Sequence, residues 1–185
     1  MKRRYNLIMD TMDEEQIIER CRAGDLDAYR QIYDRYGQPL LRTAMRLLGR
    51  PQEAEDAVQE TFLRVFRGID GFRGGARFST YLFQILHNTC MDILRKRKPA
   101  AGDVAEMDVP GVPSSPELAH SLAQAVDGLP GQMKACFVLF AVEQYSQEEV
   151  ADILGVSVGT VKISIHRARK KLRAWLGSVP AGEIS

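Results

Sequence analysis

Residues 146–176 read SQEEVADILGVSVGTVKISIHRARKKLRAWL, and this stretch decides how the chain is understood. Ser146 and Glu149 have the spacing of a capping box, in which each side chain satisfies a backbone donor left over at a helix start. Gly155 supplies a residue that tolerates a tight turn. Val150, Ile153, Leu154, Val161, Ile165, Ala168 and Leu172 recur at helical spacing on both sides of it. They predict two helices packed on each other, a helix-turn-helix. The second helix carries Lys162, Arg167, Arg169, Lys170, Lys171 and Arg173 and no acid. Such a surface suits a phosphate backbone, so DNA binding is expected; a merely solvated basic face on a helix pair is the alternative.

The rest of the composition agrees with a globular protein that binds more than one partner. The chain has 185 residues, 45% of them hydrophobic, enough for one sizeable core or two small ones. No apolar run is long enough to span a bilayer and no signal peptide is evident, so no membrane insertion and a cytoplasmic location are expected. The three cysteines, Cys21, Cys90 and Cys136, are far apart and odd in number, which argues against a disulfide framework. His87 and Cys90 lie one turn apart, but two ligands do not make a metal site, and neither a metal nor another cofactor is expected. The formal net charge of +1 conceals segregation. Residues 51–60 hold Glu53, Glu55, Asp56 and Glu60 with no base, whereas Arg95, Lys96, Arg97 and Lys98 are consecutive cations. Separate acidic and basic surfaces imply two kinds of partner, a basic protein surface and a nucleic acid.

Half of the eight prolines fall between Pro99 and Pro116, where helical periodicity disappears. This predicts a linker at 99–115, ended by Ser115-Pro116-Glu117, which has the residues of a helix start. The expected organisation is a domain at 1–98, the linker, a domain at 116–178 and a tail at 179–185. Helices are predicted near Asp13 to Arg22, Asp25 to Leu48, Gln52 to Ile69, Phe78 to Lys98, Pro116 to Val126, Pro130 to Val142, Ser146 to Leu154 and Val158 to Leu176. Pro39 should kink or interrupt the second. No strand pattern is present, so the fold class is all-α, two small helical domains.

Two further faces bear on function. In the third helix, Val58, Phe62, Val65, Phe66 and Ile69 form an apolar stripe, leaving Asp56, Gln59, Glu60, Leu63 and Arg67 elsewhere. In the fourth, Phe78, Leu82, Ile85 and Leu86 face the core, while Arg77, Tyr81, Gln84, Asn88 and Arg95 share a second face. A stacking ring, amides and cations together would hold unpaired bases. The same spacing also describes a core aromatic beside a solvated polar stripe.

At this point a family resemblance becomes specific. The run Ala54-Glu55-Asp56-Ala57-Val58-Gln59-Glu60-Thr61-Phe62-Leu63-Arg64-Val65-Phe66, continued by Phe78-Ser79-Thr80-Tyr81-Leu82, Asn88 and Asp92, resembles region two of the extracytoplasmic-function sigma factors of bacterial RNA polymerase. Leu129-Pro130, Glu148-Glu149-Val150-Ala151, Leu154-Gly155, Gly159-Thr160-Val161-Lys162 and His166-Arg167-Ala168-Arg169 are similar to region four. The likeness runs in order from about residue 13 to 176.

The resemblance implies a protein that recruits core RNA polymerase to promoters. Its third helix would dock on the clamp helices of the largest subunit through Asp56, Gln59, Glu60 and Leu63, with the flap region as a further polymerase contact. The fourth helix would melt the minus-ten element and capture a flipped base, with Arg77, Tyr81, Gln84, Asn88, Arg95, Arg97 and Lys98 as DNA contacts. The last helix would enter the major groove of the minus-thirty-five element with Thr160, Lys162, Ile163, Ser164, His166, Arg167, Arg169 and Lys170. An anti-sigma factor is an implied regulator. Three positions depart from the family pattern: Tyr81 stands where tryptophan is common, His87 where arginine is, and Ile163-Ser164 where Ser-Arg is. No Walker loop, metal cluster or catalytic triad is present, so no enzymatic activity is expected. A stand-alone helix-turn-helix regulator is the rival reading, though such proteins usually dimerise and no heptad seam is seen here. An adaptor that binds proteins only would leave the basic helix without a purpose.

Overall fold

The computed structural model describes residues 11–97 and 116–176, with side chains from 14 to 97 and from 122 to 175. The linker at 99–115, the tail at 179–185, Lys98 and the Ser115 cap lie outside the described residues. Among those described, the chain forms α-helices and no strand: α1 Thr11–Arg22, α2 Leu26–Leu48, α3 Pro51–Gly68, α4 Phe78–Lys96, α5 Pro116–Asp127, α6 Gly131–Phe137, α7 Gln147–Leu154 and α8 Val158–Leu176. A 3-10 turn over Ile69–Gly71 follows α3, and a π-helical turn over Val138–Val142 follows α6.

Local chemistry sets the ends of these helices. Asp25 caps α2 by accepting from the backbone N–H groups of Asp27 (2.9 Å) and Ala28 (3.2 Å). Gly49 ends α2 in the left-handed region at φ 69°. Pro51 starts α3 at a position whose N–H has no intrahelical partner to lose. The last carbonyls of α2 are met by cations from elsewhere, Leu48 by Arg97 (2.6 Å) and Leu47 by Lys134 (3.5 Å). Pro39 lies inside α2 without interrupting it. Tyr36, Leu40, Thr43 and Ala44 are buried on both sides of it, so packing holds the two halves in register against the loss of one backbone bond.

Helices α2, α3 and α4 pack side by side, with α1 against α2 and the 3-10 turn. Ile32, Leu40 and Leu47 from α2, Val58 and Val65 from α3, and Phe78, Leu82 and Leu86 from α4 supply the buried surface. The hydroxyls of Thr61 and Thr89 bond back to the carbonyls of Ala57 (2.7 Å) and Ile85 (2.9 Å), so neither is stranded in the core. Helices α6, α7 and α8 form a second group that continues the same apolar cluster through Cys136, Leu139, Val150, Ile153, Val161 and Ile165. Leu129, Ala168 and Leu172 form a smaller one under α5.

The two groups meet where α4 lies on α7 and the end of α2 lies on α6 and the π turn. Phe83 packs edge-on against Tyr145 at 5.2 Å between centroids. Arg46 reaches Glu143 at 3.0 Å, and Arg77 reaches Glu149 at 3.0 Å. The helix expected to run from Pro130 to Val142 thus widens after Phe137, where the Glu143 N–H bonds the Val138 carbonyl at 3.0 Å. Gln144 follows in the left-handed region at φ 63°. This backbone turns its neighbours Glu143 and Tyr145 toward α2 and α4, which a regular helix would not do.

Candidate nucleic-acid interface

The expected capping box is present: Ser146 accepts from the Glu149 N–H at 3.1 Å and Glu149 from the Ser146 N–H at 2.8 Å. Gly155 makes the turn at φ 64°. Ser157 then accepts from the Thr160 N–H at 3.1 Å, starting α8. Val161, Ile165, Ala168 and Leu172 are buried, which fixes the rotation of α8. Lys162, Ile163, His166, Arg167, Arg169 and Lys170 are exposed, and Thr160 is half-buried beside Ser157. His166, Arg169, Lys170 and Arg173 line a notch of about 420 Å³. Arg169 is steadied over the Phe140 ring, 5.6 Å from its centroid. A concave basic surface without a lining acid is shaped for phosphate. Ser164 departs from this group. Its side chain is half-buried and lies toward the Cys136 thiol on α6, so it supports the helix from beneath.

On α4, Arg77, Gln84, Asn88 and Arg95 are exposed along one face. Tyr81 is half-buried among them, tilted on Phe72 at 5.3 Å, with its hydroxyl donating to the Gly68 carbonyl at 3.3 Å. Arg77 is shared with Glu149, and Arg95 with Asp92 at 2.8 Å. Arg97 is not on this face. Its Nε donates to Glu53 at 2.9 Å and its Nη2 to the Leu48 carbonyl, so the guanidinium ties α4 to the junction of α2 and α3. Burial pushes the Glu53 pKa up, but hydrogen bonds and charge from Arg97 and Arg50 outweigh it and hold the carboxyl below its ordinary value. Burial lowers the His87 pKa below the usual histidine value, so this ring is neutral at neutral pH.

The third surface lies across α2 and α3. Asp56, Gln59 and Leu63 are exposed, and Glu60 is half-exposed and paired with Arg64 at 2.8 Å. Beside them Tyr33 and Phe66 are 54% and 49% exposed, although both are large and aromatic. Phe66 is therefore not in the core stripe where periodicity placed it. It stacks on Tyr29 at 4.6 Å, and Tyr33 meets Phe62 at 4.9 Å, so aromatic pairs bridge the two helices at the surface. Next to this ridge, Tyr33, Asp34, Gln38, Leu41, Glu55 and Gln59 line a groove of about 400 Å³. The sequence reading missed Tyr33, Asp34 and Gln38; their i, i+1 and i+5 positions give no stripe, and only the approach of α3 assembles them.

Cys21, Cys90 and Cys136 are buried and free. Burial pushes Cys21 up to about 11 and Cys90 up to about 12, which keeps both as inert thiols. Among the described residues no cluster of ligating side chains could hold a metal ion, and no helix is long and apolar enough to cross a membrane.

Comparison with known proteins gives this geometry a family. Residues 32–99 match the Sigma-70 region 2 model, and residues 119–172 match the Sigma-70, region 4 model. The ECF RNA polymerase sigma factor SigW of Bacillus subtilis is 35% identical over 176 residues, covering 86% of this chain and 94% of SigW. The chain belongs to the ECF RNA polymerase sigma factors. CnrH, solved in complex with the cytosolic domain of CnrY, superposes with a TM-score of 0.70 at 28% identity, covering 88% of this chain and 96% of CnrH. The sigma factor RpoE of Bartonella quintana, solved in complex with the anti-sigma factor NepR, shares the fold with a TM-score of 0.65 at 23% identity, over 81% of this chain and 97% of that one. As a sigma factor, the chain directs RNA polymerase in transcription initiation. Region 2 here takes in most of α2, with α3 and α4, and region 4 runs from α5 through the helix-turn-helix of α7 and α8.

Proposed function

We propose that this sigma factor divides its work among the three surfaces just described. The α2–α3 face, with Asp56, Gln59, Glu60 and Leu63 and the ridge of Tyr33 and Phe66, docks on the basic clamp helices of core polymerase. The outward face of α4 melts the minus-ten element, Tyr81 supporting the edge of the duplex and Asn88 receiving an extruded base. The basic face of α8 lies in the major groove of the minus-thirty-five element, while the second helix group also meets the flap region. Arg97 and Ser164 act by positioning these elements.

The observation that carries this reading is the separation of charge in the fold: acids and exposed aromatics share α2–α3, and the acid-free cations occupy α8. The polymerase supplies the chemistry and the chain is not itself an enzyme. Melting needs no fuel from this chain, because stacking of about 1.4 kcal/mol per step is offset by aromatic stacking of about 1 to 3 kcal/mol per captured base. The protein acts in the cytoplasm. A partner of the anti-sigma kind controls it, as the complexes of CnrH and RpoE suggest by similarity.

Sequencing of transcripts made in vitro by core polymerase plus this protein tests the proposal. Start sites preceded by one reproducible pair of elements are expected. Transcripts no different from those of core polymerase alone would overturn it.

A further inference from the structure

We infer that Ile163 is a specificity-determining residue that reads a thymine of the upstream promoter element through the C5-methyl group of that base. The inference rests on the reading of α8 as the major-groove helix and adds to it the chemistry of one base contact.

The rotation of α8 singles out this side chain. Helical residues advance by about 100° each, which puts Ile163 about 180° from the buried seam of Val161, Ile165, Ala168 and Leu172. It stands 54% exposed at the centre of the outward face. Among the described residues the other exposed large hydrophobics, Leu26, Tyr33, Leu63 and Phe66, belong to α2 and α3, so Ile163 is not part of that protein-facing ridge. One turn away on either side lie Thr160, His166 and Arg167, groups that hydrogen-bond or carry charge. Gly159, also one turn before, has no side chain, and a Cβ there would meet only the Ser157 hydroxyl at 3.7 Å. Ile163 is thus an apolar spot ringed by polar groups, with room for a base edge to approach.

Only one group on the major-groove edges of the four bases matches that spot. The donors and acceptors there would be desolvated by an aliphatic side chain without a replacement partner, whereas the thymine methyl is apolar and projects into the groove where cytosine carries only a C5–H. Ser164 does not compete for the position, because it is half-buried on the side of α8 that faces Cys136, whereas Ile163 is exposed. Ile163 therefore favours thymine over cytosine beneath it.

The test uses holoenzyme assembled from core polymerase and the full chain, on the promoter recovered by selection. Each upstream thymine is replaced singly by deoxyuridine, which removes the methyl and leaves the pairing intact. At one position the wild-type holoenzyme should lose about fourfold in affinity, the worth of one buried methyl-sized group. The Ile163→Ser holoenzyme should show no such penalty at that position. Indifference of the wild type to deoxyuridine everywhere, or the same penalty in Ile163→Ser, overturns the inference. Arg167→Ala separates that failure from a deeper one. If it still weakens upstream-element binding, α8 remains the recognition helix; if it has no effect, that reading falls and the inference falls with it.

Discussion

Arg46 donates to Glu143 at 3.0 Å across the junction of the two helix groups, and each side chain keeps only 10% of its surface exposed. The partners are 97 residues apart in sequence. Removing one member of a buried pair strands the other charge and typically costs about 3 to 5 kcal/mol. Glu143→Ala should therefore lower stability by about 3 kcal/mol in urea unfolding. Replacing both residues with apolar ones of similar size should recover much of that loss. A double variant no better than Glu143→Ala would mean that the pair does not act as a unit.

Arg97 links stability to pH and separates a structural cation from a DNA-facing one. The Glu53 carboxyl it holds has a pKa lowered from the ordinary glutamate value of 4.5. A depressed acid stabilises the fold above its unfolded pKa, and that contribution disappears as pH falls through the folded one. Acid unfolding of the wild type should thus include a loss beginning below about pH 4.5, and Glu53→Gln should lack it. Arg97→Ala should lower thermal stability and leave the salt dependence of promoter binding nearly unchanged. If it instead flattens the salt slope as a lost phosphate contact does, Arg97 turns toward DNA in the complex.

Local signals were legible in the sequence wherever the cause itself was local. Ser146, Glu149 and Gly155 declare a cap and a turn within ten residues, and the seam from Val150 to Leu172 follows from helical spacing, so the helix-turn-helix could be read outright. The edges of a stripe are another matter. Phe66 satisfies the apolar spacing of α3, yet its environment is set by Tyr29, 37 residues away, which leaves it half in water. Arg97 continues a basic run, but Glu53, 44 residues distant, claims it. Ser164 follows the exposed Ile163 and is one helical step closer to α6, where Cys136 meets it. These residues share one reason: their partner comes from another element, and spacing along one helix carries no record of it.

The α2–α3 face should fail when its charge is reversed. Asp56→Lys with Glu60→Lys places cations against a basic partner, and like charges inside an interface can cost several kcal/mol. Both acids lie outside the core, so circular dichroism should show unchanged helix content. Co-purification with core polymerase should drop to background, and Phe66→Ser should weaken it less, through lost apolar contact. Recovery of the double Lys variant at the wild-type yield would remove this face from the interface.

Tyr81 and Asn88 lie on the same face of α4, one half-buried and the other exposed, and that difference sorts their roles. The Tyr81 ring is held by Phe72 and by its bond to the Gly68 carbonyl, so its position on this face is fixed. Asn88 has its amide in solvent beside the neutral His87. Tyr81→Phe should retain promoter opening and cost about 1 kcal/mol of stability for one hydrogen bond. Tyr81→Ala should lose opening on duplex templates, because the stacking surface is gone, and a pre-melted bubble should restore most of its activity. Asn88→Ala should stay impaired on the bubble, since the base it contacts is still there to be read. Abortive-transcript yields on matched duplex and bubble templates measure both. Equal rescue of the two variants would mean that they share one role, and absence of a defect in either would make this face of α4 a solvated surface.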